Sequence, residues 1–218
     1  MYTAVIPVRK GSRRLKGKNI APFAGSTLLE YKIDQLQKVD KITRIVVSSD
    51  CDEMLSMAAA KGAETHKRAD EYCDEKTQPF GEVVAHICSN VEGEHVMWAT
   101  CTSPLVEPHH YNDAINTYEK KLNEGYDSLM SVEEFRRYMW TDEGPLNYEL
   151  GVKHVPSQEL PPLYRVTDGI LIAPRKKMIE WKYFHGTNPF KYVMDKRSSV
   201  DIDDPLDMAC AKAWLEIK

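Results

Sequence analysis

The sequence predicts an α/β protein built on a mainly parallel sheet with helices on both faces. Three observations predict it. Short apolar runs rich in β-formers alternate with helical patterns along most of the chain. That alternation is the mark of βαβ units, whose strands are buried on both sides. The 218 residues are enough for one sizeable domain of this kind.

The elements follow in order. "YTAVIPV" reads as a buried strand, and a basic loop follows it. In "GSTLLEYKIDQLQKV", Thr27 and Glu30 form a capping box, and Leu29, Ile33 and Leu36 repeat at helical spacing. "ITRIVVSSD" is a second strand ending at Asp50, and "DEMLSMAAAKG" a helix closed by Gly62. "FGEVVAHICSNV" reads as a helix, and "HVMWATCTSP" as a strand broken by Pro104. A helix, "HHYNDAINTYEKKLNEG", stops at Gly125, and "DSLMSV" is a strand. His109 and His110 read as residues that open that helix.

Residues 133–167 break the pattern. They are polar and aromatic and are interrupted by Pro145, Pro156, Pro161 and Pro162. Phe135, Tyr138, Trp140, Tyr148 and Tyr164 argue against a disordered linker. The segment reads as an inserted lid or dimerisation arm within a single domain, 1–218. Order returns with the strand "DGILIAP", the helix "RKKMIEW", the strand "FKYVMD" and a final strand–helix unit, "SVDIDDPLDMACAKAWLEI".

Composition excludes several classes. The net charge of −4 argues against a general nucleic-acid binder. No apolar run approaches the ~20 residues needed to span a bilayer, and the N-terminal stretch lacks the basic region of a signal peptide. Five cysteines without a C-x-x-C pair support neither a disulfide framework nor a structural zinc site, and fit a reducing cytoplasm. Cys88 and Cys210 lie in apolar helical patterns and read as small buried hydrophobes.

Against this acidic background, "VRKGSRRLKGKN" packs six basic residues and no acid into residues 8–19. It is not a P-loop. Five residues rather than four separate Gly11 from Gly17-Lys18, Asn19 replaces Ser/Thr, and Pro22 and Gly25 intervene before the helix. The chemistry survives the mismatch. Gly11 and Gly17 let backbone amides approach an anion, while Arg9, Arg13 and Lys18 supply charge-assisted bonds to phosphate oxygens. The loop lies at the carboxyl end of the first strand, where α/β sheets bind ligands.

A second signal is "SVDIDDPLD". Asp201 and Asp203 stand two apart in a strand pattern, so both carboxylates project from one face. Two carboxylates plus substrate phosphates suit Mg²⁺. Asp204 followed by Pro205 reads as a helix start. Phosphate, cationic side chains and a divalent metal are the parts of phosphoryl or nucleotidyl transfer.

Together these stretches resemble the CMP-sugar synthetase family, the acylneuraminate cytidylyltransferases with their CMP-Kdo relatives. "AVIPVRKGSRRLKGKNI", "IVVSSD", "TSPL", "QELPPLYRVTDGILI" and "SVDIDDPLDMACA" match in order over most of the chain. The resemblance implies a Rossmann-like core, a CTP substrate, Mg²⁺ dependence and a homodimer built from the excursion. It implies that Arg9, Ser12 and Lys18, with Arg13, contact the triphosphate and that Asn19 supports the loop. Gly11, Thr102 and Ser103 would lie beside the nucleotide, and Asp201 and Asp203 would bind the metal. Arg9, Lys18 and Asp203 would serve the chemistry, in which an acceptor oxygen attacks the α-phosphorus and pyrophosphate leaves.

The chain also departs from the sialate pattern. Thr100-Cys101 replaces Gln-Pro, Val106 and Ser157 replace Arg, and Asp168-Gly169 stands where Asn-Gly is expected. A lost Arg removes a carboxylate partner. Asp168 adds negative charge near the acceptor pocket, and Arg165 stands to compensate. A sialic-acid-like or other nonulosonic acid acceptor and a phosphonate both stay open. Two further readings compete: a sugar-1-phosphate nucleotidyltransferase, whose loop has a second glycine where Lys10 stands here, and a non-catalytic nucleotide- or RNA-binding module.

Overall fold

The computed structural model describes residues 1–12, 14–74 and 76–217. Among them, seven strands form one sheet: β1 (Tyr2–Pro7), β4 (Ile42–Ser49), β5 (Glu64–Lys67), β6 (His95–Trp98), β7 (Ser128–Phe135), β10 (Leu163–Pro174) and β11 (Pro189–Met194). Two short ribbons stand outside it: β2 (Pro22–Phe23) with β3 (Ser26–Thr27), and β8 (Trp140–Thr141) with β9 (Gly144–Pro145). The sheet order is β11-β7-β10-β6-β1-β4-β5. β10 runs antiparallel to both neighbours, and the other pairs are parallel. The mainly parallel prediction therefore stands, with one reversed strand inside the sheet.

Helices cover both faces: α1 (Leu28–Leu36), α2 (Asp52–Ala60), α3 (Phe80–Ser89), α4 (Pro108–Asn123), α5 (Arg175–Trp181) and α6 (Pro205–Glu216). Two apolar clusters show the layering. One side of β1 packs Ala4 and Ile6 with Leu28, Ile33 and Ile115 from α1 and α4. The other packs Val5 with Val84, Ile87 and Met178 from α3 and α5. Alternate residues of one strand thus serve opposite cores. No helix among the described residues is long and apolar enough to cross a membrane.

Local signals act as the sequence predicts. The Thr27–Glu30 capping box is formed, Gly62 and Gly125 take left-handed backbone after α2 and α4, and Asp204 caps α6 ahead of Pro205. His110 Nδ1 accepts from the Glu107 amide in the box that opens α4.

Three expectations are corrected. The "SVDID" stretch forms no strand, because it runs past the sheet's end and meets a turn. Its Ile202 amide donates to the Thr102 carbonyl at 2.8 Å without forming a strand ladder. Cys210 is exposed rather than buried, because α6 lies on the surface and seals only Ala211 completely. The excursion is shorter than 133–167. β7 runs on to Phe135 and β10 begins at Leu163, paired across an antiparallel ladder, so both ends belong to the sheet.

Candidate active site

The carboxyl ends of β1, β5 and β6 open onto a cavity of about 460 Å³. The basic loop forms one wall. Its course is set by backbone contacts: Lys10 N–H donates to Asp50 Oδ1 at 2.9 Å, and Gly17 turns the chain at φ 67°. That left-handed turn suits glycine. Asn19 is buried. Its Nδ2 donates to the Arg9 carbonyl at 3.1 Å and its Oδ1 accepts from Cys101 Sγ at 3.3 Å, tying the loop to the end of β6.

Of the predicted residues, Arg9, Ser12, Lys18, Asn19 and Asp168 line this cavity. Arg13 lies outside the described residues. Gly11 is exposed beside the cavity, with open space around it. Thr102 and Ser103 stand behind the lining. Ser103 is buried, its hydroxyl 3.1 Å from Thr100 Oγ1, and the Thr102 side chain bonds Asp201.

Lys18 reaches from the cavity lining to the acidic arm. Its Nζ donates to the Ile202 carbonyl at 2.6 Å and to Asp203 Oδ1 at 3.1 Å. Arg14 Nη1 pairs with Asp203 Oδ2 at 2.7 Å. Asp201 lies deeper, and its Oδ1 is buried without a hydrogen-bond partner. Burial, with the Asp203 carboxylate nearby, pushes the Asp201 carboxyl up despite the Thr102 bond.

Asp168 sits on a bulge. The register of β10 against β7 breaks between Val166 and Leu171, and Asp168 takes φ 54°. A bulge re-aims a side chain, here into the cavity. Its carbonyl accepts from Thr100 Oγ1 at 3.1 Å. Gly169 lets the bulge close on the Ser103–Val106 turn, since a Cβ there would lie 3.0 Å from Val106 Cγ2. Desolvation, then Asp203, raise the Asp168 carboxyl, with Arg165 opposing. Arg165 itself is not brought to the cavity wall. Its guanidinium donates to Glu133 at 2.8 and 3.0 Å and to the Ser199 carbonyl at 2.8 Å.

The structure adds residues that pattern reasoning missed. Arg68, just after β5, is buried and donates to the Val8 carbonyl at 2.7 Å and to Cys73 Sγ at 2.8 Å. Phe80, Trp98 and Phe184 make an aromatic wall, with Phe80 edge-on to the other two at 6.4 and 5.8 Å. Trp98 read as a core strand residue, and Arg68 stands in a polar stretch without period. Neither carries a local signal. Arg9, Arg14, Lys18 and Arg68 facing an aromatic wall suit a polyanion that carries a flat or apolar group.

A family profile described as Cytidylyltransferase matches residues 3–147. N-acylneuraminate cytidylyltransferase of Escherichia coli is 27% identical over 95% of this chain and 50% of that protein. Pseudaminic acid cytidylyltransferase of Campylobacter jejuni is 26% identical over 98% of this chain and 95% of that protein. The CMP-N,N'-diacetyllegionaminic acid synthase of Legionella pneumophila is 27% identical over 98% and 96%. The chain spans about half the length of the first of these. A solved CMP:2-keto-3-deoxy-manno-octonic acid synthetase complexed with CTP shares the fold at TM-score 0.71 and 12% identity, covering 99% of this chain and 98% of that one. With the profile spanning the loop and the first five sheet strands, the chain belongs to the cytidylyltransferase family.

Proposed function

We propose that the protein transfers CMP from CTP to a nonulosonic acid of the sialic, pseudaminic or legionaminic type, releasing pyrophosphate. The single observation that carries the reading is the bridge from Lys18 to the Ile202–Asp203 segment. It joins the polyphosphate loop, which lines the cavity, to the acidic arm beside it. The relatives' names supply the nucleotide and the acceptor class.

In this reading Arg9, Ser12 and Lys18, with Arg13, hold the triphosphate, and Arg68 and the aromatic wall confine the nucleoside. Lys18 and Arg9 stabilise charge that gathers on the leaving pyrophosphate. Thr100 and Asp168, which line the cavity, face the acceptor.

Mg²⁺ fits the residues present. Among the described residues no group of three or more His, Cys, Asp or Glu is placed to hold a metal alone. Asp201, with its unpartnered buried oxygen, and Asp203 provide two carboxylates. Mg²⁺ is ordinarily held by one or two carboxylates together with substrate phosphates. Bound there, it would neutralise phosphate charge and orient the α-phosphoryl group.

A phosphonate acceptor is the second reading. Asp168 faces the cavity while Arg165 is committed to Glu133, and the Asp168 carboxylate would pair with the ammonium group of an aminoalkylphosphonate. The excursion's exposed Trp140, Leu150 and Val152 support a homodimer. The cysteine usage supports a cytoplasmic location.

The test is pyrophosphate release with CTP, Mg²⁺ and a panel of nonulosonic acids, Kdo and phosphonates. Release with a nonulosonic acid is expected. Turnover of UTP or dTTP with sugar 1-phosphates, but not CTP, would sink the reading.

A further inference from the structure

The buried face of α1 is not purely apolar. Leu29, Ile33 and Leu36 are sealed as their spacing predicts, and Leu28 with them, but Lys32 and Gln35 are buried among them. Lys32 is wholly inaccessible. Its Nζ lies 2.9 Å from the Ser103 carbonyl and 2.6 Å from the Tyr111 hydroxyl, with the Tyr111 ring centroid 5.0 Å away. Gln35 Nε2, one turn on, donates to the Pro104 carbonyl at 2.8 Å. Burying an amine is costly, and an apolar side chain of similar volume packs a helix at least as well. The placement asks for a role other than packing.

The carbonyl that Lys32 holds belongs to the Thr100–Ser103 turn, and both acidic parts of the site hang from that turn. The Thr100 hydroxyl bonds the Asp168 carbonyl, and the Ser103 hydroxyl bonds Thr100. The Thr102 carbonyl receives the Ile202 amide, and the Thr102 side chain bonds Asp201. Lys32 does not line the cavity, and its amine is spent on the Ser103 carbonyl and the Tyr111 hydroxyl.

We propose that Lys32 is a positioning residue for the transfer reaction: its buried amine fixes the Thr100–Ser103 turn and, through it, the Asp168 bulge and the Asp201–Asp203 arm. The kinetic side of this inference rests on the cytidylyl-transfer reading; the binding side does not.

The test compares wild type with Lys32→Met, which keeps the volume without a donor, and Lys32→Gln, which keeps a donor for the Ser103 carbonyl. Mn²⁺ binding in the presence of CTP is read by water-proton relaxation, alongside kcat and KM for CTP. For Lys32→Met, half-saturating Mn²⁺ rises and kcat falls by about tenfold to a hundredfold, as when an outer-shell support is lost. KM for CTP stays within about threefold, because the cationic loop is untouched. Lys32→Gln recovers part of both losses. Mn²⁺ binding and kcat within about twofold of wild type in a cooperatively melting Lys32→Met overturn the proposal, as do equal losses in both variants. If Lys32→Met does not fold, Lys32→Gln against Tyr111→Phe, which leaves the Ser103 contact in place, decides by the same criteria. If wild type transfers no CMP at all, the functional reading fails and Mn²⁺ binding alone judges Lys32.

Discussion

Lys18 and Asp203 meet at 3.1 Å across 185 positions of chain, and their contact ties a cavity-lining lysine to the acidic arm. Lys18 keeps only 15% of its side chain exposed, so its charge is held against the site rather than in solvent. Lys18→Ala should lose ~2–4 kcal/mol of transition-state stabilisation, the scale of one preorganised donor. Steady-state pyrophosphate release checks this. Unchanged kcat/KM for CTP would reduce Lys18 to a tether for the Ile202 carbonyl.

Asp203 is half-exposed and belongs to no strand, so Asp203→Asn should leave the melting temperature nearly unchanged. Activity should fall by about a hundredfold or more and respond to added Mg²⁺, as for a lost ligand. A Mg²⁺ titration with a thermal melt separates the two effects. Activity within a few-fold of wild type removes Asp203 from the metal site.

Arg68 is a cavity residue that also supports the fold. Arg68→Met strips the Val8 carbonyl and Cys73 of a buried donor, at about 1.5–3 kcal/mol for a bond to a charged group. Both the melting temperature and the affinity for CTP should fall, read by calorimetry of each. A full loss of stability with CTP affinity intact would make Arg68 purely structural.

Asp168→Asn keeps a residue that tolerates φ 54° while removing the charge. The expected outcome is an altered KM for the acceptor with KM for CTP unchanged. A change in KM for CTP alone would place Asp168 on the nucleotide side.

Burial pushes Lys32 down to about 7, whereas an unfolded lysine titrates near 10.4. A depressed lysine is protonated in both states at low pH, so the cost of the buried charge is fully present there. Between about pH 7 and 10 the unfolded chain binds the extra proton, and stability rises by up to about 1.4 kcal/mol per pH unit. The groups facing Lys32, Tyr111 and Cys101, are both pushed up, Cys101 to about 12, so both keep their protons in the folded state; the unfolded thiol titrates at ~8.5 and lowers stability above that pH in wild type and Lys32→Met alike, so the difference between the two isolates Lys32. Chemical denaturation across pH should show this slope as a wild-type minus Lys32→Met difference. A flat difference would mean that Lys32 keeps an ordinary affinity for its proton.

Much of the protein was legible in one dimension. Strands and helices with a clear period, capping boxes at Thr27 and Asp204, and the charge of residues 8–19 are local properties, set by side-chain spacing and backbone preference. Because such a sheet gathers its loops at the strands' carboxyl ends, the sequence by itself could place the basic loop of Arg9, Ser12 and Lys18 at the end of the sheet where the cavity opens. It could not show that Arg165 would be spent on Glu133, that a bulge would turn Asp168 into the cavity, or that "SVDID" would meet a turn instead of a strand. Arg68, Phe184 and Lys32 carry no local pattern either. Their roles depend on which distant carbonyls and rings the packed fold brings within hydrogen-bond or van der Waals reach, and only the tertiary structure decides that.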